Sequence, residues 1–199
     1  MVKNLIQPVF KSIFGKETAE YAFLIEKYSE PQRFYHTLKH IEDCLKKCEK
    51  VKHEIDDLKP FQVALLYHDL FYAPKRKDNE EKSAEYAFEL LNKSNFDNAQ
   101  KVKDLILLTK HPSIPKTQDE MLLLDIDLSI LGEEQSIYEI YEENIRKEYI
   151  DVPKVMYSFG RKKLLKKFLA QERLFHTDYF YKKYEDQART NLKWAIERL

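Results

Sequence analysis

Residues 63–72 of the chain read VALLYHDLFY, an apolar run interrupted by the pair His68-Asp69. Pro60 precedes the run and suits the first turn of a helix, so the stretch predicts a buried helix over residues 61–70. Burying an ionised Asp69 without a partner would cost several kcal/mol. A carboxylate near the end of a helix also opposes the helix dipole, which favours cations there. The pair therefore indicates either a hydrogen-bonded helix cap or a set of metal ligands.

Two further stretches place ionisable side chains in apolar surroundings. In YHTLKH, the spacing of His36 and His40 puts both imidazoles on one face of a helix. In DID, which follows a leucine run, Asp125 and Asp127 would point roughly 200° apart on a helix, so only one can face the core. Taken singly, these patterns also fit a surface histidine pair, a core histidine bonded to a carbonyl, or a capping or surface aspartate. Together, the three stretches supply ligands for a metal without any cysteine and predict a hydrolytic metal site.

The composition predicts an all-α protein. The chain has 199 residues, only 3 of them Gly, and no sustained alternation of apolar and polar residues. This length suggests one helical domain over residues 1–199, with a metal-site core at about 29–132 and C-terminal helices at 133–199 packing on it. Prolines and short polar clusters divide the chain into helix-length pieces. The predicted helices cover residues 9–28, 35–52, 61–70, 79–93, 98–109, 119–131, 133–149, 153–170 and 179–199.

Charge and cysteine content limit the partners and the compartment. The 34 basic and 34 acidic residues cancel, so no global field attracts nucleic acid or a membrane, although local basic patches remain open. Cys44 and Cys48 lie four residues apart, which disfavours a disulfide, and we interpret them as reduced packing residues. The chain shows neither a signal peptide nor an apolar run of transmembrane length. We therefore expect a cytoplasmic protein without nucleic-acid or membrane partners, and leave a homodimer open.

The order of His40, His68-Asp69 and Asp127 resembles the HD superfamily of metal-dependent phosphohydrolases. The resemblance implies an all-helical HD-type domain in which these four residues bind one divalent metal. Where relatives carry Asp-x-Asp in the late motif, the second aspartate usually aligns with the ligand, so Asp127 is preferred over Asp125.

Several further segments add to this resemblance, which extends from about residue 29 to residue 192. They look like pieces of a little-characterised bacterial subgroup described as predicted metal-dependent HD phosphohydrolases. The segments are NEEKSA at 79–84, TKH at 109–111, GRKKLLKKFL at 160–169 and EDQARTNL at 185–192.

The first motif also bears on mechanism. YHTLKHI is similar to the YHNxxHA segment of cyclic nucleotide phosphodiesterases, where the first histidine is the general acid and the second binds metal. The likeness implies these roles for His36 and His40. Thr37 and Ile41 depart from that segment, and Phe71 and Tyr72 stand where the phosphodiesterases carry another histidine. A second metal of that type and a cyclic nucleotide substrate are therefore not implied.

We expect a phosphohydrolase that cleaves a phosphomonoester or phosphodiester of a small metabolite, with nucleotides among the candidates, by metal-activated water. Two imidazoles and two carboxylates suit Mn, Fe, Co, Ni or Zn, and Mg stays among the candidates. Asp69 and His36 would act in catalysis, with Glu80 orienting or deprotonating the water. The alternative is a non-catalytic HD module that binds a nucleotide or regulates. A further alternative is an oligomeric scaffold that uses the aromatic C-terminal helix.

Two cationic residues and one histidine are candidate contacts for the substrate. Arg33 and Lys39 flank the first motif and can neutralise phosphate charge, although a solvated cation is the simpler interpretation of Arg33. His111 precedes Pro112 and is expected beside the pocket, against phosphate or a second metal, or else as a capping or surface histidine.

Overall fold

The computed structural model describes residues 5–15, 18–110 and 114–199, and all regular secondary structure in this part of the chain is helical. It comprises ten α-helices and two short 3-10 helices, which confirms the all-α prediction. The chain divides into two compact units, Met1–Leu124 and Asp125–Leu199. The single HD-type domain stays a prediction, and each unit is described by itself.

The first unit is built around one helix. Its α-helices are α1 (Ile6–Phe14), α2 (Ala19–Tyr28), α3 (Leu38–Val51), α4 (Leu58–Tyr67), α5 (Asn79–Lys93), α6 (Ala99–Leu108) and the start of α7 (Gln118–Leu128), with a 3-10 turn at Lys52–Glu54. Every residue of α4 from Pro60 to Tyr67 is buried. A helix that is apolar on all sides belongs in a core, and α4 packs against α1, α3, α5 and α6. The pair His68-Asp69 is thereby placed at the end of the central helix.

The second unit is built around its last helix. It contains the end of α7, a 3-10 turn at Ser129–Gly132, α8 (Gln135–Glu148), α9 (Lys154–Leu169) and α10 (Asp178–Arg198). The 21-residue α10 packs against the 3-10 turn, α8 and α9. Phe175, Phe180 and Tyr184 are buried and stack on one another, so this aromatic stretch serves packing within the unit.

The predicted single helix over residues 9–28 is wrong, because two helices occupy that region. Gly15 follows α1 with φ of 77°, a left-handed conformation that glycine adopts without steric cost. Its backbone N–H donates to the Lys11 carbonyl and closes the helix end. Thr18, just before α2, is extended, so the chain starts a new helix there.

The helix predicted over residues 35–52 begins later than expected. Thr37 is extended, with φ of −117° and ψ of 177°, and α3 starts at Leu38. The central helix also begins and ends three residues earlier than predicted, so that His68 is its C-cap. Hydrophobic periodicity reports which face of a helix is buried, and it does not fix the residues at which the helix begins and ends.

Both cysteines are buried and carry free thiols, as the sequence predicted. Burial raises the pKa of the Cys48 thiol to about 12, so it is an inert packing group. Among the described residues, none of the helices combines the length and apolar character needed to cross a membrane.

Candidate metal centre

Three of the predicted ligands meet in the first unit where α3 packs against the end of α4. His40 lies in the first turn of α3, His68 caps α4, and Asp69 follows directly. The imidazoles of His40 and His68 are buried, and the Asp69 side chain is 18% exposed. The group is therefore sheltered, with its carboxylate on the open side.

The spacing of the three donor atoms suits a metal ion. His68 Nε2 lies 3.1 Å from His40 Nε2 and 3.1 Å from Asp69 Oδ2, and His40 Nε2 lies 3.5 Å from the same oxygen. A circle through three points so spaced has a radius of roughly 1.9 Å, so an ion with bonds of about 2.1 Å can touch all three atoms at once. His40, His68 and Asp69 thus form a group that can hold a metal ion.

A backbone contact sets the orientation of the His68 ring. Its Nδ1 lies 3.0 Å from the carbonyl oxygen of Leu65. Because a carbonyl only accepts, Nδ1 carries the hydrogen, and Nε2 is the atom that can offer a lone pair to an ion. A metal-binding histidine usually has its second nitrogen held in this way.

The electrostatics of the group favour an ionised carboxylate. Burial alone would raise the pKa of Asp69, but electrostatic interactions with the His68, His36 and His40 imidazoles hold that pKa well below its usual value. The carboxylate thus stays anionic at neutral pH, as a metal ligand must be.

Arg33 connects the two motifs. Its side chain is fully buried, and it donates to the carbonyl oxygens of His36 (3.1 Å), Asp69 (2.7 Å) and Leu70 (2.7 Å). A guanidinium with donors committed to three carbonyls has little capacity for a phosphate. This geometry favours a positioning role for Arg33 over the predicted contact with substrate, and it excludes the solvated cation.

His36 is close to the group for a reason other than the predicted one. The expectation that His36 and His40 share a helix face is wrong, because His36 precedes α3. Its ring stacks on Tyr72 with centroids 3.9 Å apart, and its centroid lies 6.1 Å from that of His40. Tyr35 also contacts both imidazoles. Stacking on the loop after the His-Asp pair therefore holds His36 beside the donors.

The polar motif at residues 79–84 holds the loop that follows the His-Asp pair. Asn79 accepts from the Ala73 N–H and donates to the Ala73 carbonyl, both at 3.1 Å. The buried Ser83 hydroxyl accepts from the Phe71 N–H at 3.0 Å. Glu80, the predicted water-orienting residue, lies half-buried in the first turn of α5. Its catalytic role stays a prediction.

Asp125 and Asp127 both belong to the second unit. Asp125 is buried and caps the start of α10: its carboxylate accepts from the N–H groups of His176 and Thr177, both at 2.7 Å, and from the Thr177 hydroxyl at 2.6 Å. The capping interpretation of this segment therefore holds for Asp125 and leaves Asp127 as the candidate ligand. Its place as the fourth ligand stays a prediction.

Replacing Asp125 with alanine is expected to lower the free energy of unfolding by about 2–4 kcal/mol, because two backbone N–H groups would lose their buried acceptor. Urea denaturation measures the change. Asp186→Ala, an exposed position on α10, is the matched control. Equal stability of the two variants would contradict the capping role.

The two other predicted substrate contacts differ in outcome. Lys39 is exposed on α3 and pairs with Asp43 at 2.8 Å, so its charge is partly compensated. His111 lies outside the described residues.

Sequence reasoning missed two neighbours of the donor group. The Cys44 thiol lies 3.8 Å from both ring nitrogens of His40. The spacing of the two residues, one helical turn apart, would have predicted this contact. The buried Tyr28 hydroxyl donates to the Leu66 carbonyl at 2.9 Å, and burial raises its pKa well above the usual value. No local pattern signals this contact, since it joins residues far apart in the chain.

The chain matches no known family profile, no curated protein and no solved structure. The likeness to HD phosphohydrolases therefore stays a resemblance of motifs. The structure itself shows an all-α fold. In its first unit, two imidazoles and a carboxylate lie close enough together to bind one metal ion.

Proposed function

We propose that this protein is a metal-dependent phosphohydrolase acting on a phosphoester of a small metabolite, with nucleotides as the first substrates to test. The observation that carries the proposal is the convergence of His40, His68 and Asp69 from two different helix ends. Such a sheltered set of two imidazoles and one carboxylate is costly to bury unless a cation joins it.

The donors suit a borderline-to-hard divalent ion such as Mn, Fe, Co, Ni or Zn. Three protein ligands leave coordination positions for water and substrate, and Asp127 is the proposed fourth ligand. When bound, the ion supplies Lewis acidity that polarises a phosphoryl oxygen and activates water for attack.

The chain's own residues supply orientation and a proton. Arg33 holds the backbone on both sides of the group, and the Leu65 carbonyl holds the His68 ring. His36, stacked on Tyr72 beside His40, is the proposed general acid that protonates the leaving oxygen. Glu80 is the proposed partner of the attacking water.

A panel of phosphomonoesters, phosphodiesters and nucleotides, each assayed with Mn, Co, Ni, Zn and Mg, tests the proposal. We expect hydrolysis that a chelator abolishes and that Asp69→Ala reduces by at least about 1,000-fold in kcat/KM, since that carboxylate is both ligand and charge balance. His53→Ala, an exposed histidine outside the group, is the matched control and should keep full activity.

Full activity of a folded Asp69→Ala protein would contradict the proposal. Tight metal and nucleotide binding with no product in any assay would instead favour the non-catalytic binding module.

A further inference from the structure

Helix α9 differs in composition from the rest of the chain. Its sequence, KVMYSFGRKKLLKKFL, contains six cationic residues and no acidic one, whereas the whole chain is balanced. The side chain of Arg161 is 8% exposed and pairs with Glu142, so five lysines carry the remaining charge. Of these, Lys162, Lys163, Lys166 and Lys167 form no ion pair with any residue that the structure describes. Although the net charge of the chain is zero, α9 is therefore a strongly basic segment.

The first turns of α9 expose large apolar side chains. Val155, Met156 and Phe159 are 81%, 66% and 74% exposed, and Ile150 in the preceding turn is 68% exposed. Single exposed apolar residues are ordinary, but four within ten residues of one segment mark an interaction surface.

The apolar and cationic residues share one face of the helix but lie at different heights along it. At 100° per residue, Val155, Phe159, Lys163 and Lys166 point within about 80° of one another. The opposite face carries the buried Tyr157, Leu165 and Phe168. With a rise of 1.5 Å per residue, the lysines at 163–167 follow Phe159 by roughly 6–12 Å. The exposed face thus has an apolar end and a cationic end.

We propose that α9 docks the second unit onto an anionic lipid surface. The apolar end enters the boundary of the acyl layer, and the lysines meet the negative headgroups, which in a bilayer extend several Å beyond the hydrocarbon. Clusters of four to eight cations beside exposed apolar residues are the usual composition of such surfaces. The proposed lipid contact does not depend on the metal centre. It revises the expectation of no membrane partner, which rested on the balanced net charge and on the lack of an apolar run of transmembrane length.

Other occupants fit the face less well. A nucleic acid would use the lysines but leave Val155, Met156 and Phe159 in water. A two-fold contact of α9 with α9 of a second copy would bring the lysine clusters of both copies together, and like charges repel. Lipid satisfies both ends of the face at once.

Co-sedimentation of the full chain tests the proposal, with vesicles of phosphatidylcholine alone and of phosphatidylcholine mixed with phosphatidylserine. We expect binding to the mixed vesicles that weakens as salt is added. Lys163→Gln, Lys166→Gln and Lys167→Gln together should lower it roughly 100-fold, about fivefold for each lysine. Met156→Ser with Phe159→Ser should lower it by at least about tenfold.

Matched controls separate this face from the rest of the surface. Ile114→Ser removes another exposed apolar residue, and Lys52→Gln, Lys93→Gln and Lys182→Gln together remove three exposed lysines on other elements. Both controls should bind as the wild type does. The proposal is overturned if the mixed vesicles do not bind the protein, if both vesicle types bind it equally, or if the controls lose as much binding as the α9 variants. Self-association that Phe159→Ser abolishes, without vesicle binding, would assign the face to a second copy instead.

Discussion

Replacing His68 with alanine is expected to lower the affinity of the protein for divalent metal by at least about 100-fold. The imidazole supplies one of three donors, and the Leu65 carbonyl orients it; loss of an orienting group alone typically costs 10–100-fold in other metal sites. Equilibrium dialysis of chelator-treated protein against Mn, Co, Ni and Zn measures the change.

A second variant and a control keep this result interpretable. His40→Gln removes a donor on a different helix and should cause a loss of similar size, while the exposed His53→Ala should bind metal as the wild type does. Circular dichroism of each variant checks the fold. Unchanged affinity in both folded donor variants would rule out this group as the metal site, whatever the protein's activity.

Replacing Gly132 with alanine is expected to destabilise the second unit by about 3 kcal/mol or more. An added Cβ would lie 2.5 Å from both the Cβ and the carbonyl oxygen of Tyr184 and 2.9 Å from its Cα. Tyr184 is buried in α10, so backbone rather than a flexible side chain would have to move. Urea denaturation followed by circular dichroism measures the free energy of unfolding.

Gly160→Ala is the control for this change. Gly160 lies within α9, is exposed, and has no atom within 4 Å of the position of a Cβ. Alanine there should stabilise the chain by about 0.5–1 kcal/mol, because glycine loses more backbone freedom in a helix. Equal stability of the Gly132 and Gly160 variants would show that the close approach to Tyr184 is not tight.

Most helices follow from the sequence through two kinds of local signal. The apolar spacing of α5 and α6 predicts their extents to within about a residue, because a helix that buries one face repeats every 3.6 residues. The segment predicted as a helix over residues 119–131 is helical to Gly132, first as α7 and then as the 3-10 turn. These signals lie within a few residues of the feature they specify, so the chain can be interpreted piece by piece.

Two of the errors arise where long-range contacts decide local structure. The helix predicted from residue 35 starts at Leu38 because the chain before it stacks His36 on Tyr72 and bonds to Arg33. Arg33 resembled a solvated cation in sequence, yet it bonds to carbonyls 36 and 37 residues away. The spacing of residue types along the chain does not indicate such partners, because it relates only residues that are close in sequence.

The residue types and their order determined the helical class and the identity of three candidate ligands, since burying an imidazole or a carboxylate in an apolar run requires a partner wherever it occurs. Only the tertiary structure decided that His40, His68 and Asp69 bring their donor atoms to within 3.5 Å of one another, and that Asp125 caps a helix. The physical reason is that the distance between two side chains depends on how their helices pack. That packing is determined by all the core contacts together. The sequence shows which charged groups need partners, and the packing of the helices determines which partners they contact.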